Sequence, residues 1–210
     1  MKIIGLTGSI GMGKTTVAAM LRRLGIPVDA ADDTARRLMV PGSPAYRSVA
    51  RNFPDAIDGH RLDRTLLGEL VFADPARLKL LEQILHPEIA RMRERFLAIH
   101  RRRRSPIVVL DIPLLFEKGL DKTVDAVMTV SAPAFVQKHR VLYRPGMSEH
   151  KFRNIMSRQI PDAVKRRRSD IVIRTGTSKA ATLRQLKAAL NRLHWASHAR
   201  NRSRYRNHRR

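Results

Sequence analysis

Lys2-Ile3-Ile4-Gly5-Leu6-Thr7 followed by Gly8-Ser9-Ile10-Gly11-Met12-Gly13-Lys14-Thr15 opens the chain as an apolar run feeding a glycine loop. The second block fits G-x-x-x-x-G-K-[ST], and each fixed position has a chemical reason. Glycines let the backbone take positive φ and turn a row of N–H groups inward, around phosphate oxygens. The loop opens a helix whose N-terminal partial positive charge adds to the same site. Lys14 reaches β- and γ-phosphates, and the Thr15 hydroxyl can ligate Mg²⁺. A plain glycine turn would not need its surroundings, an apolar strand before and an amphipathic helix after. Gly8, Gly11, Met12, Gly13, Lys14, Thr15 and Thr16 are therefore expected to hold a nucleoside triphosphate, with Thr15 on the metal.

Downstream, Val17, Met20, Leu21 and Leu24 share one face of that helix, and Gly25 ends it as a C-terminal cap. A second short strand is expected around Pro27-Val28, then a helix from Asp32 to Met39. From Pro44 to Arg104 the pattern is almost entirely helical, with breaks expected at Pro54, Asp58-Gly59, Asp74-Pro75 and His86-Pro87. Buried-strand patterning returns at Ile107-Val108-Val109-Leu110-Asp111, across Val124 to Val130, and at Ile171-Val172-Ile173. Helices are expected near Ala134–Tyr143, Glu149–Arg158 and Lys179–Leu193. Strands of this kind alternating with helices mean an α/β fold with a parallel sheet core flanked by helices. The block at 44–104 is too long for a simple crossover and reads as a helical insert in a core formed by 1–43 and 105–195. The low-complexity stretch 196–210 reads as a disordered basic tail.

Composition narrows the classes. At 210 residues and 43% hydrophobic, the chain can bury a sizeable core. No apolar run approaches the roughly 20 residues of a membrane span. The N-terminus shows no leader pattern, and the absence of cysteine excludes disulfides, thiolate metal sites and a cysteine nucleophile. A cytoplasmic protein with no membrane partner is expected. The 42 Lys and Arg outweigh 18 Asp and Glu to give +24, and no acid follows Asp170. Such an excess favours anionic partners without choosing among them; an arginine-rich solvated surface explains it equally well.

Several further segments resemble the dephospho-coenzyme A kinases: Leu6 to Thr16, Pro41 to Tyr46, Leu62-Asp63-Arg64, Leu81-Glu82-Gln83-Ile84-Leu85-His86-Pro87, Asp111-Ile112-Pro113-Leu114-Leu115-Phe116-Glu117, Gln137 to Arg144, Gln159 and Ser169-Asp170. They run in order over about 2–190. The resemblance implies phosphorylation of the ribose 3′-hydroxyl of dephospho-CoA by ATP, the last step of coenzyme A synthesis. It also implies a P-loop NTPase fold whose insert is a CoA-binding lobe and whose segment 134–160 is a lid.

On that resemblance Asp32 is the catalytic base. Aligning Ala35-Arg36 with the family's Asp-Ala-Asp-x-x-Ala-Arg puts its second Asp at Asp32 and leaves Ala30 in place of the first, so either Asp29 substitutes from a shifted backbone or the first carboxylate is dispensable. A helix-capping role for Asp32 is compatible with catalysis. Asp111 ends a strand as a Mg²⁺-holding acid would, or caps the segment led by Pro113. Arg140 and Arg144, four apart on the expected lid helix, are read as neutralising the transferring phosphoryl group, Arg140 in catalysis and Arg144 in ATP binding. His86 reads as structural, and Arg101 to Arg104 as a solvated helix end.

Two other readings compete. A nucleoside or nucleoside monophosphate kinase would share loop and fold. A basic nucleic-acid-binding P-loop protein would use the charge, but only 5% of residues are aromatic and none sits in a stacking motif, so no specific nucleic acid is expected. The expected partners are ATP and dephospho-CoA; the oligomeric state stays open.

Overall fold

β-Branched and aliphatic residues run without alternation through the strands, as a sheet covered on both faces requires. The computed structural model describes residues 1–59 and 61–206, and side chains as far as 193. Along the chain β1 (Lys2–Thr7), α1 (Lys14–Arg23) and β2 (Val28–Ala30) lead into α2 (Ala31–Leu38) and α3 (Tyr46–Asn52). A hairpin of β3 (Ile57–Asp58) and β4 (Arg61–Leu62) precedes α4 (Arg64–Ala73) and α5 (Pro75–Arg102). Then come β5 (Ile107–Asp111), β6 (Ala126–Ser131), α6 (Ala134–Leu142), α7 (Glu149–Ser157), α8 (Asp162–Arg168), β7 (Ile171–Arg174) and α9 (Lys179–Arg206).

The chain divides into two units. One takes Met1–Val28 and everything from Arg104 onward. Its sheet has the order β2-β5-β1-β6-β7, with β1 central and parallel to both β5 and β6. Ile3 lies opposite Val108, Leu6 opposite Met128, and Met128 opposite Ile171. Ile4 and Leu6 of β1, Val109 of β5, Met128 and Val130 of β6 and Ile173 of β7 pack with Val17 and Leu21 of α1 and Leu186 of α9.

The other unit is Asp29–Arg103, built of α2 to α5 and the hairpin. Leu38, Val49, Phe53, Leu67, Val71 and Leu85 form its core. Helices α4 and α5 begin where the sequence supplies caps: the Asp63 carboxylate accepts from Thr65 and Leu66 N–H, and the Asp74 carboxylate from Ala76 N–H, just before Pro75.

Several expectations change. Pro87 does not break the chain: α5 runs through it. Leu78, Leu81, Leu85, Ile89 and Met92 keep one apolar stripe at helical spacing on both sides, and burying that stripe outweighs the hydrogen bond proline removes. The helical unit starts earlier than 44, because α2 packs on α5. It also contains the β3–β4 hairpin. Helix α8 was not expected, and α9 continues past Leu193 to Arg206. Nothing between 194 and 206 is a proline or glycine that would stop it, so helix replaces the expected disorder over 196–206. The remainder of that expected tail, 207–210, lies outside the described residues.

Candidate active site

Gly8 to Gly13 carry the chain from β1 into α1. Gly11 and Gly13 have φ of 77° and 87°. A Cβ on Gly11 would come within 2.6 Å of Val141 Cγ2 and 3.0 Å of the Gln137 carbonyl, so α6 passes too close for any side chain there. Gly13 gives α1 no side-chain cap, which leaves first-turn N–H groups for an anion. Met12 is buried; its Sδ accepts the Ala132 N–H at 3.0 Å, and its carbonyl accepts the Thr175 hydroxyl at 2.5 Å. Met12 thus anchors the loop to the ends of β6 and β7. Thr15 and Thr16 are exposed in the first turn of α1.

Lys14 reaches across to the end of β5. Its Nζ donates to Asp111 Oδ1 at 2.6 Å, with side chains 17% and 8% exposed, so this charge-assisted contact is shielded from water. Asp111 does not cap the segment after Pro113, where no helix starts. Among the described residues no three His, Asp or Glu side chains gather as a metal cluster. One carboxylate and one hydroxyl nonetheless suit Mg²⁺, which keeps waters and takes its other ligands from substrate phosphates.

Arg140 lies on α6 as expected. Its Nη2 donates to the Thr175 carbonyl at 2.6 Å and its Nη1 to the Thr175 hydroxyl at 3.1 Å, beside the Gly11 carbonyl at 3.5 Å. Arg144 does not share its helical face, because α6 ends at Leu142 and Pro145-Gly146 follow; Arg144 is exposed in the turn. Gln137 and Gln159 both bind Ile10. Lys165, fully buried on α8, lies 2.8 Å from Glu117 Oε1, which also accepts the Ile160 N–H at 2.9 Å. A cavity of about 610 Å³ is lined by Met12, Pro133, Asp162, Arg166, Gly176 and Thr177 among others. Gly176 is dictated there: a Cβ would meet Pro133 Cδ at 2.4 Å.

The acidic residues within and just after β2 belong to the helical unit. Asp29 is buried and accepts the Thr34 hydroxyl at 3.2 Å, with Arg93 Nε 4.0 Å away; Arg37 also donates to Thr34. Asp33 faces Arg36 at 3.8 Å. Asp32 is exposed in the first turn of α2, whose N-cap position is Ala30, so Asp32 is not the cap. In the same unit His86 lies 3.8 Å from Glu82, one turn back on α5, and Arg101 to Arg103 are exposed at that helix's end, as is Arg104 just beyond it.

Thr175 and the Lys165–Glu117 pair were not anticipated. The signal for Thr175 was its place just after the last strand, since parallel sheets gather ligands at their carboxyl ends. Lys165 gave none, because a buried lysine reads as a solvated one.

Comparison with known proteins adds a second line of observation. A family model described as dephospho-CoA kinase matches residues 2–180. A dephospho-CoA kinase of Novosphingobium aromaticivorans is 52% identical over 180 residues, 86% of this chain and 89% of its own. One from Gluconobacter oxydans is 44% identical over 94% of this chain and 100% of its own. A solved structure, TT1252 from Thermus thermophilus, superposes with a TM-score of 0.77 at 41% identity, covering 91% of this chain and 97% of that one.

Proposed function

The chain belongs to the dephospho-CoA kinase family and catalyses the ATP-dependent phosphorylation of dephospho-CoA that completes coenzyme A biosynthesis, and on that premise we propose how its residues divide the chemistry. The ATP phosphates lie against the loop that runs from Gly8 through Thr16, with Gly11 and Gly13 giving the backbone its turn and Met12 anchoring it. The cavity beside Pro133 and Gly176, close to one end of that loop, takes the nucleoside of ATP. Lys14 moves its charge onto the β- and γ-phosphates. Arg140, already fixed by Thr175, adds positive potential beside the loop, and Arg144 supplies a further charge to ATP from the segment 134–160, which acts as a lid.

Asp32 orients the ribose 3′-hydroxyl of dephospho-CoA and takes its proton. The hydroxyl oxygen forms a bond to the γ-phosphorus while the bond from that phosphorus to the β,γ-bridging oxygen breaks, and ADP departs with the electron pair. Asp29 is a poor alternative, since Thr34 and Arg93 engage its buried carboxylate. Mg²⁺, held by Asp111 and Thr15 together with phosphate oxygens, would supply charge neutralisation between the β- and γ-phosphates. The helical unit contributes the CoA-binding lobe. A cytoplasmic setting fits a chain that uses ATP and contains no cysteine.

The observation that carries this reading is the pairing of Lys14 with Asp111 at the mouth of a glycine loop, within a chain matched over 2–180. The test is a coupled ADP-release assay offering dephospho-CoA, AMP and adenosine in parallel. Turnover of dephospho-CoA with CoA as product is expected. Turnover of AMP alone would make the protein a nucleoside monophosphate kinase.

A further inference from the structure

Ile10, near the start of the phosphate loop, has both its N–H and its C=O bound by side chains from far along the chain. The Ile10 N–H donates to Gln159 Oε1 at 3.1 Å, across 149 residues of sequence. The Ile10 carbonyl accepts from Gln137 Nε2 at 2.8 Å, across 127. Gln137 is 4% exposed, and its Nε2 also contacts Met156 Sδ at 3.3 Å. The two glutamines therefore stand at opposite ends of the segment that holds α6 and α7, and both fasten on one residue. Immediately after Gln159, the Ile160 N–H is tied to Glu117, which also pairs with the buried Lys165 ammonium.

We infer that Gln137 and Gln159 are positioning residues that preorganise the phosphate loop for ATP, the first as a hydrogen-bond donor and the second as an acceptor. This rests on the kinase reading above. The peptide plane is rigid, so holding the Ile10 carbonyl also fixes the direction of the Gly11 N–H. Fixing the Ile10 N–H keeps that donor out of competition for phosphate. A loop set beforehand spends no binding energy on ordering itself when ATP arrives. Once ATP is bound, its phosphates hold the loop, so the bracket acts on ATP affinity and little on the chemical step.

The chemistry requires opposite responses to the same near-isosteric change. Gln137→Glu puts an acceptor against the Ile10 carbonyl and removes the donor. It is expected to raise the KM and the dissociation constant for ATP about tenfold, the size of one buried hydrogen bond lost. Its kcat and its KM for dephospho-CoA stay within about threefold. Gln159→Met is expected to raise the ATP values similarly, and Gln159→Glu, which keeps an acceptor for the Ile10 N–H, to bring them back within about twofold of the parent.

Steady-state kinetics and calorimetric ATP binding without acceptor read these effects, and thermal melts report the fold of each variant. Equal ATP affinity in the two glutamate variants would take the separate donor and acceptor roles away from both residues and overturn the inference. So would a loss carried by kcat or by the KM for dephospho-CoA. A parent that binds ATP but leaves dephospho-CoA unphosphorylated would overturn the kinase reading, while the binding measurements would still decide the roles of Gln137 and Gln159.

Discussion

The Lys14 ammonium sits 2.6 Å from a carboxylate that is itself nearly buried, so its position is set by charge rather than by packing alone. Lys14→Ala removes a preorganised cation from the phosphate loop and leaves Asp111 without it. The expected loss in kcat is on the order of 10²-fold or more, read in the coupled assay at saturating ATP. The aspartates near α2 respond differently from one another. Asp32→Asn keeps the shape but cannot accept a proton, and a loss of about 10²-fold is expected. Asp33→Asn, at an exposed carboxylate facing Arg36, should stay within about twofold. A reversal of these two outcomes would move the base by one residue.

Glu117 is a residue whose pH response can be derived. Burial pushes its carboxyl up, but the Lys165 ammonium and the N–H groups of Glu117 itself and Ile160 outweigh that and hold it below the ordinary carboxylate range. A depressed folded-state value means stability present in full above the unfolded carboxylate value of about 4.3 and lost as pH falls through the lower folded one. Glu117→Gln leaves Lys165 buried without its counter-charge, at an expected cost of about 3–5 kcal/mol at neutral pH. The gap between parent and variant should narrow in acid below about pH 4. Melting curves across that range check it; a gap independent of pH would mean Glu117 contributes no charge to the fold.

Among the elements, α5 is the one that defies its own sequence. Pro87 is exposed on a helix whose buried stripe runs unbroken past it, so its main effect on the helix is the loss of a backbone donor. Pro87→Ala is expected to stabilise the protein by up to about 3 kcal/mol, visible as a higher melting temperature. The same helix shows what local sequence can and cannot reveal. The strands and the loop before α1 were legible because each is decided by neighbouring residues: apolar runs, glycines, a lysine and a threonine. The continuity of α5 was not, since it depends on Leu38, Val49 and Leu67 arriving from other helices to cover Leu85. Helix α8 escaped notice because its inward position is Lys165, which breaks the apolar period; only Glu117, far away in sequence, makes that burial possible. At the site, Lys14, Arg140 and Asp111 could be read from pattern and resemblance. The grip of Gln137 and Gln159 on Ile10 could not, because no spacing rule links residues so distant.

For the whole molecule, the division into units has a consequence in time. The helical unit is one uninterrupted stretch, Asp29–Arg103, with its own core. The sheet unit is split around it, and its first strand pairs Lys2 with Ile107 and Leu6 with Met128. During synthesis the phosphate loop leaves the ribosome ahead of the strands that flank it, so β1 must wait, unpaired on both edges, until β5 and β6 follow. The stretch that emerges in between can meanwhile collapse on local contacts, which close faster than distant ones. Pulse-labelled hydrogen exchange during refolding should therefore protect amides of α4 and α5 before those of β1. The opposite order would show that the sheet recruits the helices instead. If the expected order holds, ATP can act on maturation only late: the phosphate loop has no paired strand behind it, and so no nucleotide site to offer, until β5 and β6 have been made.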